Sequence, residues 1–191
     1  MLIIGITGTL GAGKGTIVDY LVKKKGFQHF SVRAFIAEEI ARRGMVVNRD
    51  SMVIVANDMR KNHSPSYITD QLYEKALAKG KDSIIESIRT PGEIYSLRKK
   101  GGFYLLAVDA EPAIRYERIT QRQSETDNIS FDTFIENEKR EMNSTDPNAQ
   151  NLNKCMELSD FTLHNNGTIE QLNRQVEKAL KLIGRFSDLT I

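Results

Sequence analysis

One segment constrains this chain more than any other: Gly8-Thr9-Leu10-Gly11-Ala12-Gly13-Lys14-Gly15-Thr16. A glycine, four residues and then Gly-Lys lie between an apolar run at 2–7 and an amphipathic stretch at 14–25. That stretch carries Ile17, Val18, Leu21 and Val22 on one face and stops at Gly26. In a strand, turn and helix of this kind the backbone amides turn inward as an anion nest, and the helix adds its partial positive charge. Gly8, Gly11, Ala12, Gly13, Lys14, Gly15 and Thr16 are therefore candidate phosphate ligands. Lys14 is placed to reach the β- and γ-phosphates of a nucleoside triphosphate.

The run at 2–7 is continuously apolar, as expected of a central parallel strand covered on both faces. Further strands are expected at 28–32, 83–87, 103–108 and 161–164. Helices are expected at 34–43, from Asp50 onward, and at 66–79, 92–100, 111–123, 131–142 and 168–183, with Ser130 capping the helix at 131. This alternation implies an α/β, three-layer P-loop NTPase fold, with a central parallel sheet of about five strands and helices on both faces. A single domain is expected over 1–183, with 184–191 as a tail. Ligands of such sheets bind at the carboxyl ends of the strands, and each chemistry-bearing motif of the chain follows an expected strand.

Residues 83–89 read Ser-Ile-Ile-Glu-Ser-Ile-Arg. A carboxylate at a strand end beside such a loop holds Mg²⁺ or its waters, which makes Glu86 a metal candidate together with Thr16. Arg89 suits the transferred group or an acceptor phosphate, because a guanidinium grips phosphate oxygens bidentately. The plainer alternative is an ion pair at a strand end. Arg33 and Arg60 are weaker substrate-binding candidates, with a solvated surface position as the competing reading. Arg115, Arg118 and Arg122 recur at helical spacing and share one face. Arg140 lies on the next helix, among Glu136, Glu138, Lys139 and Glu141. A salt-bridged helix surface is the competing reading for these arginines. His29, His63 and His164 are dispersed, without metal-ligand spacing.

The Gly-Lys-Gly-Thr form resembles that of adenylate kinases and other nucleoside monophosphate kinases. Glu86-Ser87-Ile88-Arg89 resembles the Asp-Ser-Ile-Arg version found in archaeal adenylate-kinase-like and dephospho-CoA-kinase-like proteins. The chain departs in having Gly15 directly after the lysine, Glu86 in place of Asp, and Ala34 and Ala37 where the family carries acceptor-binding residues. The resemblance implies ATP and Mg²⁺ as cofactors, with the metal held largely through water. It implies acceptor-binding helices over about 33–80 and a helical lid over about 115–142, with the polar residues 123–130 as its mobile part. Arg118, Arg122 and Arg140 would contact phosphate, and Asn165 and Gly167 would lie beside the adenine.

The implied activity is phosphoryl transfer to a small-molecule nucleotide acceptor, a nucleoside or deoxynucleoside monophosphate. Alternatives are dephospho-CoA, which needs a base for its ribose hydroxyl, and a slow regulatory ATPase. The acceptor's base and sugar, and the oligomeric state, are not readable from these residues. A net charge of +2, from 27 Lys+Arg and 25 Asp+Glu, offers no bulk attraction for nucleic acid or an anionic membrane. The lone Cys155 permits no intrachain disulfide and reads as a small buried apolar residue. No apolar run approaches the ~20 residues of a membrane span. The opening residues lack a basic leader region, so a cytoplasmic protein is expected.

Overall fold

The structure, a computed structural model, describes residues 1–122 and 129–188. The elements run β1 (Ile3–Gly8), α1 (Lys14–Lys25), β2 (Gln28–Ser31), α2 (Val32–Arg42), α3 (Arg49–Asn62), α4 (Tyr67–Lys79), β3 (Ser83–Glu86) and α5 (Pro91–Lys100). They continue with β4 (Phe103–Asp109), α6 (Pro112–Arg122), α7 (Phe131–Met142), α8 (Leu152–Glu157), β5 (Phe161–His164) and α9 (Ile169–Asp188). The strands form one sheet in the order β2-β3-β1-β4-β5. All four pairings are parallel. β1 is central, and the chain leaves it toward β2 and β3 on one side and β4 on the other. The loop after β1 therefore opens at the crevice where ligands of such sheets bind.

Successive strand residues point to opposite faces, and both faces are covered. Ile3, Ile85 and Leu105 pack with Ile36, Ile40, Val55, Ile68, Leu72 and Ile94 of the helices α2 to α5. Ile4, Ile6, Ile84, Leu106 and Val108 pack with Ile17 and Leu21 of α1 and Leu172 and Val176 of α9. Two cores on one sheet explain why β1 is buried at every position and not at alternate ones. Cys155 is wholly buried in the first core, as its expected apolar role requires.

Local chemistry sets the helix ends. α1 stops at Gly26, whose left-handed φ of 75° lets its N–H reach the carbonyls of Leu21 and Val22. Ser31 caps α2 by accepting from Ala34 N, which starts that helix at Val32 rather than at Ala34. Thr90 and Glu93 form a capping box at the start of α5, with Pro91 in its first turn. Ser130 caps α7, as the sequence suggests. Two further features differ from expectation. α8 is a six-residue helix capped by Asn151, too short to show a period. α9 continues through Asp188, so most of the expected tail is helical. Of the expected mobile lid segment, residues 123–128 lie outside the described residues.

Gly5 is a tight point of the first core. A Cβ there would lie 2.7 Å from Ile88 Cδ1 and from the Phe103 ring. Gly5→Ala should destabilise the protein by about 1–3 kcal/mol through overpacking, read as a lower urea midpoint at unchanged m-value. An unaltered midpoint would show that this contact is slack.

Candidate active site

The glycine loop is wedged between three neighbours. Gly11 has φ 80°, and a Cβ on it would come within 2.5 Å of Arg115 O. Gly13 has φ 103°, and a Cβ on it would collide with the Asn165 amide. Both positions need glycine for conformation and for space. From the end of β5, Asn165 Nδ2 donates to Ala12 O at 2.8 Å, and its backbone N donates to Asp109 O at 2.8 Å. Thr9 Oγ1 donates to Asp109 Oδ1 at 2.6 Å. The loop is thus tied to β4 and β5. Lys14 Nζ arches over it, donating to Gly8 O at 2.9 Å and Thr9 O at 2.8 Å. Burial lowers the Lys14 ammonium to about 7, and the nearby Arg89 guanidinium adds to the effect against the opposing pull of Glu86 and Glu141.

Glu86 ends β3 at the mouth of the same cleft. Ser87 Oγ donates to Glu86 Oε1 at 2.6 Å, and His29 Nε2 lies 3.4 Å from Glu86 Oε2. Burial pushes this carboxyl up, but the His29 and Ser87 hydrogen bonds and the Lys14 charge outweigh it and hold the group at about 2. Ser87 has φ 73°, an uncommon conformation for a residue with a side chain. It turns the chain so that Ser87 N and Ile88 N both donate to Ile6 O, and Arg89 is delivered toward the cleft.

The arginines divide by the carboxylate each one meets. Arg115, expected beside Arg118 and Arg122, is only 2% exposed and forms a forked ion pair with Glu138 of α7. It also donates to Ala110 O at 2.7 Å and Leu10 O at 3.3 Å, so it braces the loop. Arg118 and Arg122 line the cleft, and Arg118 Nη1 is buried with no hydrogen-bond partner among the described residues. Arg140 does not reach the cleft: it bonds Asn137 on its own helix and lines a groove beyond Glu141. Arg89 Nη1 donates to Glu141 Oε2 at 2.6 Å and to Gln150 Oε1 at 2.9 Å, while Arg49 takes Glu141 Oε1 at 2.5 Å. Arg60 is 1% exposed and pairs with the fully buried Glu93 at 3.0 Å. Its Nε and Nη1 have no partner among the described residues.

Two cavities meet here. One, of about 660 Å³, is lined by Gly11, Gly13, Lys14, Gly15 and Thr16, by Glu86, Arg118 and Arg122, and by Asn165 and Gly167. The other, of about 90 Å³, lies against α2 and α3 and includes Ile36, Met52, Arg49, Arg60 and Glu141. Leu10, Arg33, Ser87 and Arg89 belong to both. The structure thus brings most of the expected residues to one crevice, with Arg140, Gly8 and the supporting Ala12 set apart. Sequence reasoning missed His29, Arg49, Glu93, Glu141 and Gln150. Only Glu93 carried a signal, as the acid of the Thr90-Pro-Gly-Glu capping box.

A parallel sheet in this order, with a glycine loop after the central strand and arginines above it, is the kinase-like P-loop fold. Residues 4–144 match the AAA domain family model, and the chain belongs to that family. It is 28% identical over 186 residues to a UPF0200 protein of Methanococcus vannielii, covering 96% of this chain and 97% of that one. It is 26% identical over 192 residues to a UPF0200 protein of Pyrococcus abyssi, covering 97% and 99%. Among solved structures, a gluconokinase from Sinorhizobium meliloti superposes with a TM-score of 0.61 at 13% identity, over 99% of this chain and 95% of that one. Shikimate kinase from Bacteroides thetaiotaomicron gives 0.58 at 13%, over 94% and 98%. These likenesses show the fold.

The Glu86 shift makes a stability prediction. A carboxyl held at about 2, below its ordinary 4.5, favours folding above pH 4.5, and this contribution is lost as pH falls from 4.5 toward 2. Glu86→Gln should therefore flatten the loss of stability across that window, measured by urea unfolding at pH 6, 4 and 3. An acid limb as steep as the parent's would argue against the His29 and Ser87 bonds holding the ionised form.

Proposed function

We propose that the chain is an ATP-dependent phosphotransferase whose acceptor is a small phosphorylated nucleotide. One observation carries the reading: the two cavities join at Arg33, Ser87 and Arg89, so two anionic ligands can lie end to end across them. The larger cavity offers the glycine-loop nest, Lys14 and Arg118 Nη1, which has no partner among the described residues, to a triphosphate. The smaller offers Arg33, Arg49, Arg60 and Arg89 against Glu141 and, behind Arg60, Glu93, an excess of positive charge suited to an acceptor with its own negative charge.

Mg²⁺ fits as a passenger of the nucleotide. Thr16 and Glu86 line the phosphate cleft, and among the described residues no three His, Cys, Asp or Glu side chains cluster as a metal site. Bound there, the ion would neutralise charge on the β- and γ-phosphates. Lys14, Arg89, Arg118 and Arg122 would stabilise the charge spread over the transferred group, and the loop amides would orient it. An acceptor phosphate oxygen attacks the γ-phosphorus as the bond to the bridging oxygen of ADP breaks, and no proton moves. A carboxylate held at about 2 is a weak base, so Glu86 supports an oxyanion acceptor over the ribose hydroxyl of dephospho-CoA.

An ADP-release assay against ribo- and deoxynucleoside monophosphates and dephospho-CoA, with product identified, tests the reading. One acceptor should stimulate turnover, and Lys14→Ala should lower it by roughly 10²–10³-fold or more with the fold retained. A slow rate indifferent to every acceptor would favour a regulatory ATPase. Full activity in both Lys14→Ala and Arg89→Ala would remove the site assignment.

Nucleotide binding should also take up protons. A triphosphate beside Lys14 raises its pKa from about 7, so at pH 8 the protein gains up to one proton on binding. Calorimetry in buffers of different ionisation enthalpy reads this directly. The uptake should vanish in Lys14→Arg, because arginine stays charged.

A further inference from the structure

A third cavity, of about 470 Å³, lies beyond Glu141, outside the two that form the phosphate crevice. It is a groove between two helix stripes. Asp50, Val53, Ile54 and Asn57 line it from α3 at spacings of three and four, and Asn137, Arg140 and Glu141 line it from α7 in the same way. Ala149 and Gln150 close one end. It shares Arg49, Val53, Glu141 and Gln150 with the smaller cavity that holds Arg60 and Arg89. A ligand whose phosphate rests on those two arginines would pass Glu141 and continue into this groove.

The chemistry of the groove separates it from a phosphate site. Its arginines are engaged, Arg49 with Glu141 and Arg140 with Asn137. Asp50 adds an exposed carboxylate, which disfavours an anion. Three carboxamides line it, from Asn57, Asn137 and Gln150, with the Asn137 and Gln150 oxygens already accepting from Arg140 and Arg89, while Val53, Ile54 and Ala149 provide apolar wall. Asn57 Oδ1 is buried and accepts no hydrogen bond among the described residues. A buried carbonyl oxygen of this kind calls for a donor, and no described residue of either helix supplies one. A planar nitrogen heterocycle meets all of these features at once: it is neutral, apolar on its faces, and carries N–H donors and ring acceptors on its edge.

We propose that this groove binds the base of the acceptor, so that the acceptor runs from Arg60 and Arg89 at its phosphate to Asn57 at its base. The inference rests on the phosphotransferase reading for where the phosphate sits. The base would be chosen by carboxamides from both α3 and α7. Glu141, gripped by Arg49 and Arg89, stands at the waist between phosphate and base.

Binding, rather than turnover, tests this. With the glycine loop filled by Mg²⁺ and a non-hydrolysable ATP analogue, the protein is titrated with AMP, GMP, CMP, UMP and ribose 5-phosphate by calorimetry. At least one monophosphate should bind roughly tenfold or more tightly than ribose 5-phosphate, the size of one satisfied buried hydrogen bond plus ring contact. Asn57→Leu should erase that preference and leave ribose 5-phosphate affinity unchanged. Ala149→Trp, which crowds the groove from its loop, should do the same and carries the test if Asn57→Leu does not fold. Equal affinity for the bare sugar phosphate, no binding of any monophosphate, or a preference that survives both variants would overturn the proposal. Selective binding without phosphorylated product would sink the phosphotransferase reading and leave the groove standing. Phosphorylation of ribose 5-phosphate as efficient as that of any monophosphate would do the reverse.

Discussion

The site depends on how closely the loop after β1 is packed. Its carbonyls and glycines are hemmed in by Val108 of β4, the backbone of Arg115 and the amide of Asn165. These neighbours come from β4, α6 and the end of β5, far from the loop along the chain. Packing on three sides holds the loop backbone in conformations that only glycine adopts without strain, and this keeps its amides directed at one point. Asn165, expected near an adenine ring, is one of these supports. Its side chain holds Ala12 in place, while Gly167 beside it lines the cleft.

A second constraint is the pairing of arginine with buried or half-buried carboxylates. The described arginines near the crevice are equal in sequence but differ in partner. Arg115 is neutralised by Glu138 and becomes a brace. Arg60 is held by Glu93, which also accepts the N–H groups of Arg89 and Thr90, so one carboxylate fixes both the helix start and the guanidinium. Arg89 and Arg49 share Glu141. Burial pushes the Glu141 carboxyl up, and the two guanidinium charges bring it below its ordinary value. α7 is therefore docked by two of its carboxylates, Glu138 on the loop side and Glu141 on the side of the smaller cavity. Any movement of that helix has to exchange these pairs, which couples the region around the expected lid to the floor of the smaller cavity.

Much of this was legible in the residues themselves. The glycine loop, the continuous apolar β1 and the strand-helix alternation determined the parallel α/β fold, because each rests on local chemistry: left-handed glycines, burial of both sheet faces, a cap at Ser130. Lys14, Glu86 and Arg89 could be placed at one crevice for the same reason, since each follows a strand of a parallel sheet and such strands end on the same side. Tertiary structure alone decided which arginine serves which anion. Spacing puts Arg115 and Arg118 on one helix face, but only the docking of α7 sets Glu138 against the first and leaves the second facing the cleft. The roles of His29, Glu93, Glu141 and Asn57 likewise arise from contacts between segments roughly 30 to 90 residues apart. A charged group's function depends on the charges and the burial around it, and those are properties of the packed chain.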